Sequence, residues 1–564
     1  MKDVHLFLLA ALLTALVPVC HADPLVSDDP SHDAGQRFLL QTWDGDSMWN
    51  SIVKYRGRSA TEPLAEYSQR MLEEMIDEEA AADVDALSYC LFTAFWSDLP
   101  DSKLTDLFPW RPAGVDDAGI DPIRVLMDRC RHHNIQFIAD IRMNDRHGVP
   151  PNGIMKEHPE WALFGGAWDY EFDGVRQAML DFTKEVLDTY DVDGIEYDYM
   201  RWCHMFQRGE GAQHAHLLTD FMRKSRRLLD EAAQRRGCER ILLGVRVPQL
   251  IGECEHLGFD IATWINEGLV DYVVPSEFFH TDTNMKTEDF VKLTEGTDCK
   301  VYPAIHNQIS MDAPNEHYKL MTQANFRAAA QNFYAFGAHG ISPYNYQRAW
   351  GRRFAAEVRA ASYACYMWPA ALGWLRELRD PAEMAEQDRH YLFYALHKKR
   401  QTVGGYPSDE NIYLNPGNEV LEGSRRFRMA EDFSDTRLRA TMQFKVLGLT
   451  DSGGHRNVRS KGDRLEIRIN DAVVPPEYVT IVYDKHPDEF RNGQSVFEGD
   501  PLPEFHEYVI DLNWETTGRQ QPLIFGDNIL TVRLLPPEAE TKGEVSIEEL
   551  ECYVYVRKER SGRK

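Results

Sequence analysis

A chain of 564 residues, 43% of them hydrophobic, can bury a full core and suits one large domain followed by a smaller one. Its formal net charge of −28, from 90 acidic against 62 basic residues, sets nucleic acid and anionic membranes aside as principal partners and leaves small or neutral ligands open.

The chain begins with Lys2, an apolar run from Leu6 to Val19, and Cys20-His21-Ala22 ahead of Asp23. This pattern reads as a signal peptide over residues 1–22, which implies a secreted or periplasmic protein. The run falls short of the roughly 20 apolar residues that cross a bilayer, and no later stretch reaches that length, so no membrane span is expected. Val17-Pro18-Val19 is a poor lipobox for anchoring through Cys20. The remaining cysteines show no CxxC pair and no zinc spacing, which points to buried thiols with one or two disulfides rather than a redox or structural metal centre.

Short β-rich runs then begin near Phe38, Leu87, Phe137, Gly194, Ile241, Tyr272, Val301 and Gly340. Between them lie stretches with apolar residues at helical spacing: Ala65 to Ala80, Asp121 to His133, Arg176 to Tyr190, Leu217 to Arg235 and Asn325 to Phe336. Alternation of strand and helix predicts a parallel sheet, and eight such units predict closure into a (β/α)8 barrel. The alternative, an open doubly wound sheet, lacks the GxGxxG or P-loop that would follow its first strand. With further helical segments around Arg352 to Cys365 and Ala371 to Leu378, this TIM barrel domain is expected to occupy residues 36–400. From Gly404 the pattern becomes short alternating strands divided by turn residues, which predicts a jelly-roll-like β-sandwich over residues 404–558. Trp514 stands alone there, so support of the barrel is favoured over sugar binding as the sandwich's role.

Active sites of such barrels sit at the C-terminal ends of the strands. The fourth run carries Glu196 and Asp198 two residues apart, so both side chains leave one face of the strand, and the sixth run ends in Glu277. Glycosidic cleavage needs paired carboxyl groups, which casts Glu277 as general acid/base, Asp198 as nucleophile or base, and Glu196 as a group that binds a hydroxyl or tunes its neighbours. The alternative makes Glu196 and Asp198 structural, paired with Arg142 or Arg246. Around them, Asp140, Arg142, Asn144, Arg201, Arg246, His306, Asn307, Tyr344 and Asn345 would line a polar pocket, with Trp43 and Trp202 as stacking faces for sugar rings. The three arginines either read an anionic sugar or pair with the site's own carboxylates. A hydrolytic metal centre drawn from Asp140, His147, Glu196, Asp198, His204, Glu277, His280 and His306 is disfavoured, since there is no HExxH and no HxH after the first run; no cofactor is called for.

The run Asp191-Val192-Asp193-Gly194-Ile195-Glu196-Tyr197-Asp198-Tyr199, the entry Val270-Asp271-Tyr272-Val273-Val274-Pro275 and the segment Gly340-Ile341-Ser342 together resemble the strand motifs of bacterial family-10-like glycosyl hydrolase barrels. The resemblance covers Arg37 to Trp350 and implies a secreted carbohydrate-active enzyme, with Glu-Tyr-Asp here where adjacent acidic residues are commoner in that group. The expected activity is hydrolysis of an extracellular poly- or oligosaccharide. The competing expectation is a barrel that binds carbohydrate without cleaving it.

Overall fold

The computed structural model describes residues 36–43, 63–93, 96–108, 119–145, 154–163, 167–278, 280–307, 321–346, 370–394, 402–408, 411–449, 464–484, 505–516, 519, 521–536 and 544–558. Residues 1–22, expected to be a signal peptide, His147 and the Arg352 to Cys365 segment lie outside them.

Eight parallel strands form the first domain: β1 Phe38–Trp43, β2 Ala86–Thr93, β3 Gln136–Arg142, β4 Gly194–Asp198, β5 Leu242–Pro248, β6 Tyr272–Ser276, β7 and β8 Gly340–Tyr344. β7 comes in two pieces, Lys300–Val301 and Ala304–His306. Pro303 interrupts it because a proline has no N–H to give the ladder. The first piece pairs with β6 and the second with β8, while β8 pairs with β1, so the ring closes. The interruption costs little pairing: Tyr302 N donates to Val273 O at 2.9 Å and Ser342 N to Pro303 O at 2.9 Å.

Helices Leu64–Ala81, Pro122–His132, Asp173–Thr189, Gly211–Arg236 and Gln323–Ala335 return the chain between strands. They start where the residues dictate. Asp121 caps its helix by accepting from Ile123 N and Arg124 N with Pro122 at the first position, and Thr322 forms a capping box with Asn325. Strand alternation sends Leu40, Ala86, Ile138, Leu242, Tyr272, Val274, Tyr302 and Ala304 into the barrel's interior, and sends residues such as Leu87, Ile195 and Val245 out against the helices. Inside, Gly244 of β5 lies under the Tyr272 ring, and a Cβ at that position would meet the ring at 2.0 Å.

Two antiparallel sheets make the second domain. One contains Val545–Val556 flanked by Leu438–Leu447 and Arg389–Phe393, with Ile412–Leu414, Phe505–Asp511 and Val479–Asp484; the other contains Glu422–Met429, Gly526–Leu534, Leu465–Ile469 and Ala472–Val473. Phe427, Met442, Phe444, Ile510, Leu530 and Val532 fill the space between them. One boundary differs from the sequence reading: Arg389–Phe393, inside the stretch expected to belong to the barrel, pairs antiparallel with Val545–Val556, so the sandwich begins before Gly404. The strand is apolar on both faces, which hid its membership. Tyr391 and Phe393 enter the sandwich core, while Leu392 and Tyr394 pack on the barrel side with Met285 and Phe326. All seven cysteines among the described residues are free thiols, so the expected disulfides do not form among them.

Polar contacts also join the domains. The Asn284 side chain donates to Arg426 O at 3.2 Å and accepts from Arg428 N at 2.8 Å, Asn332 Nδ2 donates to Thr283 O and Arg428 O, and Thr283 Oγ1 donates to Leu392 O at 2.7 Å. The loop following β6 is therefore held by the sandwich. Gly244→Ala should test the tight interior: overpacking there is expected to cost about 1–3 kcal/mol in chemical denaturation, and unchanged stability would show that the Tyr272 ring has room to move.

Candidate active site

Pairing register places Arg142, Asp198 and Arg246 side by side across β3, β4 and β5, with Asp140, Glu196 and Gly244 side by side one layer deeper. As the two-residue period requires, Tyr197 between the two β4 carboxyls faces outward to Thr183 and Ser225. Asp198 and Arg246 are both fully buried. Arg246 Nη1 donates to both Asp198 oxygens, at 3.0 and 2.9 Å. The same guanidinium donates through Nε to Ser276 Oγ at 3.1 Å and through Nη2 to the Glu277 carbonyl at 3.1 Å, and it stands 4.0 Å from the centre of the Tyr344 ring. One cation thus ties the ends of β4, β6 and β8. Asp198 also accepts from Met200 N at 2.8 Å.

In the deeper layer Ser88 Oγ donates to Glu196 Oε1 at 3.0 Å, and the Tyr272 ring that requires Gly244 brings its hydroxyl next to the same carboxyl. Burial, and then the nearby Asp198 charge, push Glu196 up to about 7. Asp140 is raised as well, by burial and then by Asp198 and Glu196; its oxygens are buried without a hydrogen bond of ordinary geometry, beside the Cys90 thiol. Three buried carboxyls cluster around one guanidinium, and the surplus negative charge is relieved by retaining protons in the deeper layer.

Glu277 is 3% exposed, accepts from Phe278 N at 2.8 Å through Oε2, and lines a cavity of about 420 Å³ between the barrel and the sandwich. His306 donates from Nε2 to the Glu277 carbonyl at 3.1 Å, and its ring centre lies 4.9 Å from that of Tyr344. Burial, followed by the Arg246 charge, holds this histidine well below its ordinary pKa and thus neutral. Arg142 donates to Asp145 Oδ2 at 2.8 Å and to the Tyr344 hydroxyl at 3.4 Å; Arg201 Nε stands 3.6 Å from the same Asp145 oxygen, with its guanidinium 5.4 Å from the Phe278 ring centre. Arg246 thus pairs with Asp198, one of the expected site carboxylates, whereas Arg142 and Arg201 face Asp145, which is outside that set. Asp145 went unnoticed in the sequence; its position three residues after Arg142 was the available signal.

Other expected ligands fall differently. Trp43 is fully buried, donates to Glu79 Oε1 at 2.9 Å and packs edge-on to Tyr89. It follows the inward-facing Thr42 on β1, so alternation turns it into the core and away from the cleft. Asn144 is occupied by backbone: Nδ2 donates to Trp168 O and His204 O while Oδ1 accepts from Trp168 N at 2.6 Å, joining the loops after β3 and β4. Asn345 adopts a left-handed φ of 54° and donates its backbone N–H to Thr42 O; Asn307 is buried and its carbonyl accepts from Met321 N. Trp202 is 46% exposed, with its ring 6.3 Å from that of Phe278. Among the described residues the potential metal ligands that converge are Glu171, Glu210 and His214, with ligand atoms within 4.8 Å of one another; they come from the loops after β3 and β4 and from the helix that follows β4.

No family model matches the chain, and no curated protein matches it. Solved structures similar to it include glycoside hydrolases. They include a GH138 enzyme targeting pectin rhamnogalacturonan II (10% identity over 62% of this chain, TM-score 0.39), of which this chain covers 39%. Another is the PgaB (BpsB) glycoside hydrolase domain from Bordetella bronchiseptica (12% identity, 61% of this chain and 99% of that one, TM-score 0.39). A third is an alpha-L-fucosidase from Vibrio sp. strain EJY3 (10% identity, 93% and 97%, TM-score 0.36). At 10–12% identity and TM-scores of 0.36–0.39 these likenesses assign no residue roles and no activity to this chain.

Two measurements probe the site's electrostatics. Arg246→Ala leaves Asp198 buried without its cation and is expected to cost about 3–5 kcal/mol of stability; a loss below about 1 kcal/mol would mean that the pair is not enclosed. Folding favours the protonated form of Glu196, whose ordinary value is 4.5, so that contribution is present below pH 4.5 and is lost as pH rises through about 7. The melting temperature of the parent should therefore fall relative to Glu196→Gln between pH 5 and pH 8, and parallel profiles would contradict the raised value.

Proposed function

We propose that this chain is a secreted glycoside hydrolase, of the bacterial family-10-like kind its strand motifs resemble, acting on an extracellular poly- or oligosaccharide. The observation that carries the reading is the Arg246 hub: a single guanidinium grips the Asp198 carboxylate of β4 and the Glu277 backbone at the end of β6. This supports a reading in which acidic residues from the ends of two strands share one rim, since glycosidic cleavage uses a pair of carboxyl groups. Glu277, whose residue lines the cavity, protonates the departing glycosidic oxygen. Asp198 attacks the anomeric carbon or activates a water, with Arg246 supplying the counter-charge. Glu196, one layer deeper, tunes Asp198 rather than touching sugar. Trp202 offers an exposed face to a sugar ring. Because Arg142, Arg201 and Arg246 all face internal carboxylates, a neutral sugar suits the site better than a sulfated one.

A second reading is favoured by the complete burial of Asp198 and Glu196: a barrel that binds carbohydrate without cleaving it. One experiment separates the two. Purified protein is screened against neutral, uronic and sulfated polysaccharides for released reducing ends. Asp198→Asn and Glu277→Gln should each lower kcat by about a hundred- to ten-thousand-fold, while Trp202→Ala should mainly raise KM. Glycan binding with no product from the unmodified protein would establish the second reading, and undiminished turnover in either carboxyl variant would remove that residue from the mechanism.

A further inference from the structure

The cleft between the barrel and the sandwich contains more than Glu277 needs. Its wall includes Gln249 at the end of β5, Lys286 in the loop after β6, Tyr394, Tyr406 and Arg425. Gln249 is 5% exposed; its Nε2 donates to Asp282 Oδ2 at 2.9 Å, and its Oε1 is buried without a hydrogen bond. A buried amide oxygen left unmatched costs free energy that an incoming hydroxyl would recover. Tyr406 lies across the start of helix Ile251–Leu257, where a Cβ at Gly252 would come within 2.2 Å of its hydroxyl, so the ring is seated on a surface that only glycine leaves open.

The lining mixes acids with bases. Glu277, Asp282 and Asp289 stand with Lys286, Arg425 and Arg426, so neither sign of charge dominates. Such a wall suits a polyhydroxylated neutral ligand, which both donates and accepts, better than a lipid or a strongly charged chain. The volume of about 420 Å³ is in the range of pockets that enclose small ligands. The cleft is also preformed. Asn284 bridges to Arg426 and Arg428, and Thr283 bonds Leu392, so its two walls are already joined and little ordering is left to the ligand.

We propose that this cleft is a subsite for further units of a neutral oligosaccharide whose reacting unit lies at Glu277, with the sandwich's Arg425 and the Tyr406 turn as part of the substrate wall. The sandwich then reads substrate as well as bracing the barrel. The inference takes from the proposed function only that the ligand is carbohydrate.

Binding, read without turnover, tests it. In an Asp198→Asn background, titration calorimetry is run with tetrasaccharides and disaccharides of glucose, mannose, galactose, N-acetylglucosamine and galacturonic acid. At least one neutral tetrasaccharide should bind, and adding Tyr406→Ala or Gln249→Leu should weaken it about tenfold while its disaccharide changes by less than about twofold. If no neutral tetrasaccharide binds, if only the galacturonate does, or if both added substitutions leave affinity unchanged, the proposal is overturned. The two readings fail separately. Binding that depends on Tyr406 with no product from the unmodified protein removes the hydrolase and keeps the cleft; product formation indifferent to Tyr406 and Gln249 keeps the hydrolase and removes the cleft.

Discussion

A fully enclosed guanidinium organises the C-terminal rim of this barrel. Burying a charge of that size costs several kcal/mol even after relaxation, and the cost is offset only when geometry and hydrogen bonding are nearly complete. Arg246 meets that condition through both oxygens of Asp198, the Ser276 hydroxyl, the Glu277 carbonyl and the Tyr344 ring. Each partner comes from β4, β6 or β8 or from the residue that ends it, so a strand shift that broke one contact would leave a buried ion partly unpaired. The electrostatic requirement becomes a geometric one, and it fixes the Asp198 carboxylate and the Glu277 backbone relative to each other at the strand ends.

Beneath that pair the barrel changes character by layers. Tyr302, Leu242 and Ile138 make an apolar floor; Asp140, Glu196 and Gly244 follow; Asp198, Arg142 and Arg246 come above them. Acid in the middle layer is too far from solvent to ionise freely, and it lies near Asp198. Its raised proton affinity follows from those two facts. Gly244 has a part in this by ceding its side-chain volume to Tyr272, whose hydroxyl reaches Glu196. Asp145 answers Arg142 and Arg201 on the other side of the rim, so the positive groups, like the negative ones, are matched within the protein.

The second domain is joined to the first by more than a linker. Arg389–Phe393 places alternate residues in two cores, and the buried Arg389–Glu431 pair closes its beginning. Because the loop after β6 bonds to strand Glu422–Met429, the position of Glu277 is coupled to the sandwich.

From the sequence alone came the order and type of the elements: eight strand and helix units, then alternating strands, with Glu196, Asp198 and Glu277 at strand ends. Periodicity and capping are local, and local chemistry decides them. Tertiary structure decided which neighbours those residues meet. Arg246 could have faced a substrate or Asp198, Trp43 a sugar or Glu79, and Asn144 a ligand or the backbone of Trp168 and His204; in each case the outcome depends on register across strands and on which side of β1 or β3 the chain turns. The same holds for Arg389–Phe393, whose two apolar faces were visible in the sequence but whose two partners exist only once both domains have packed.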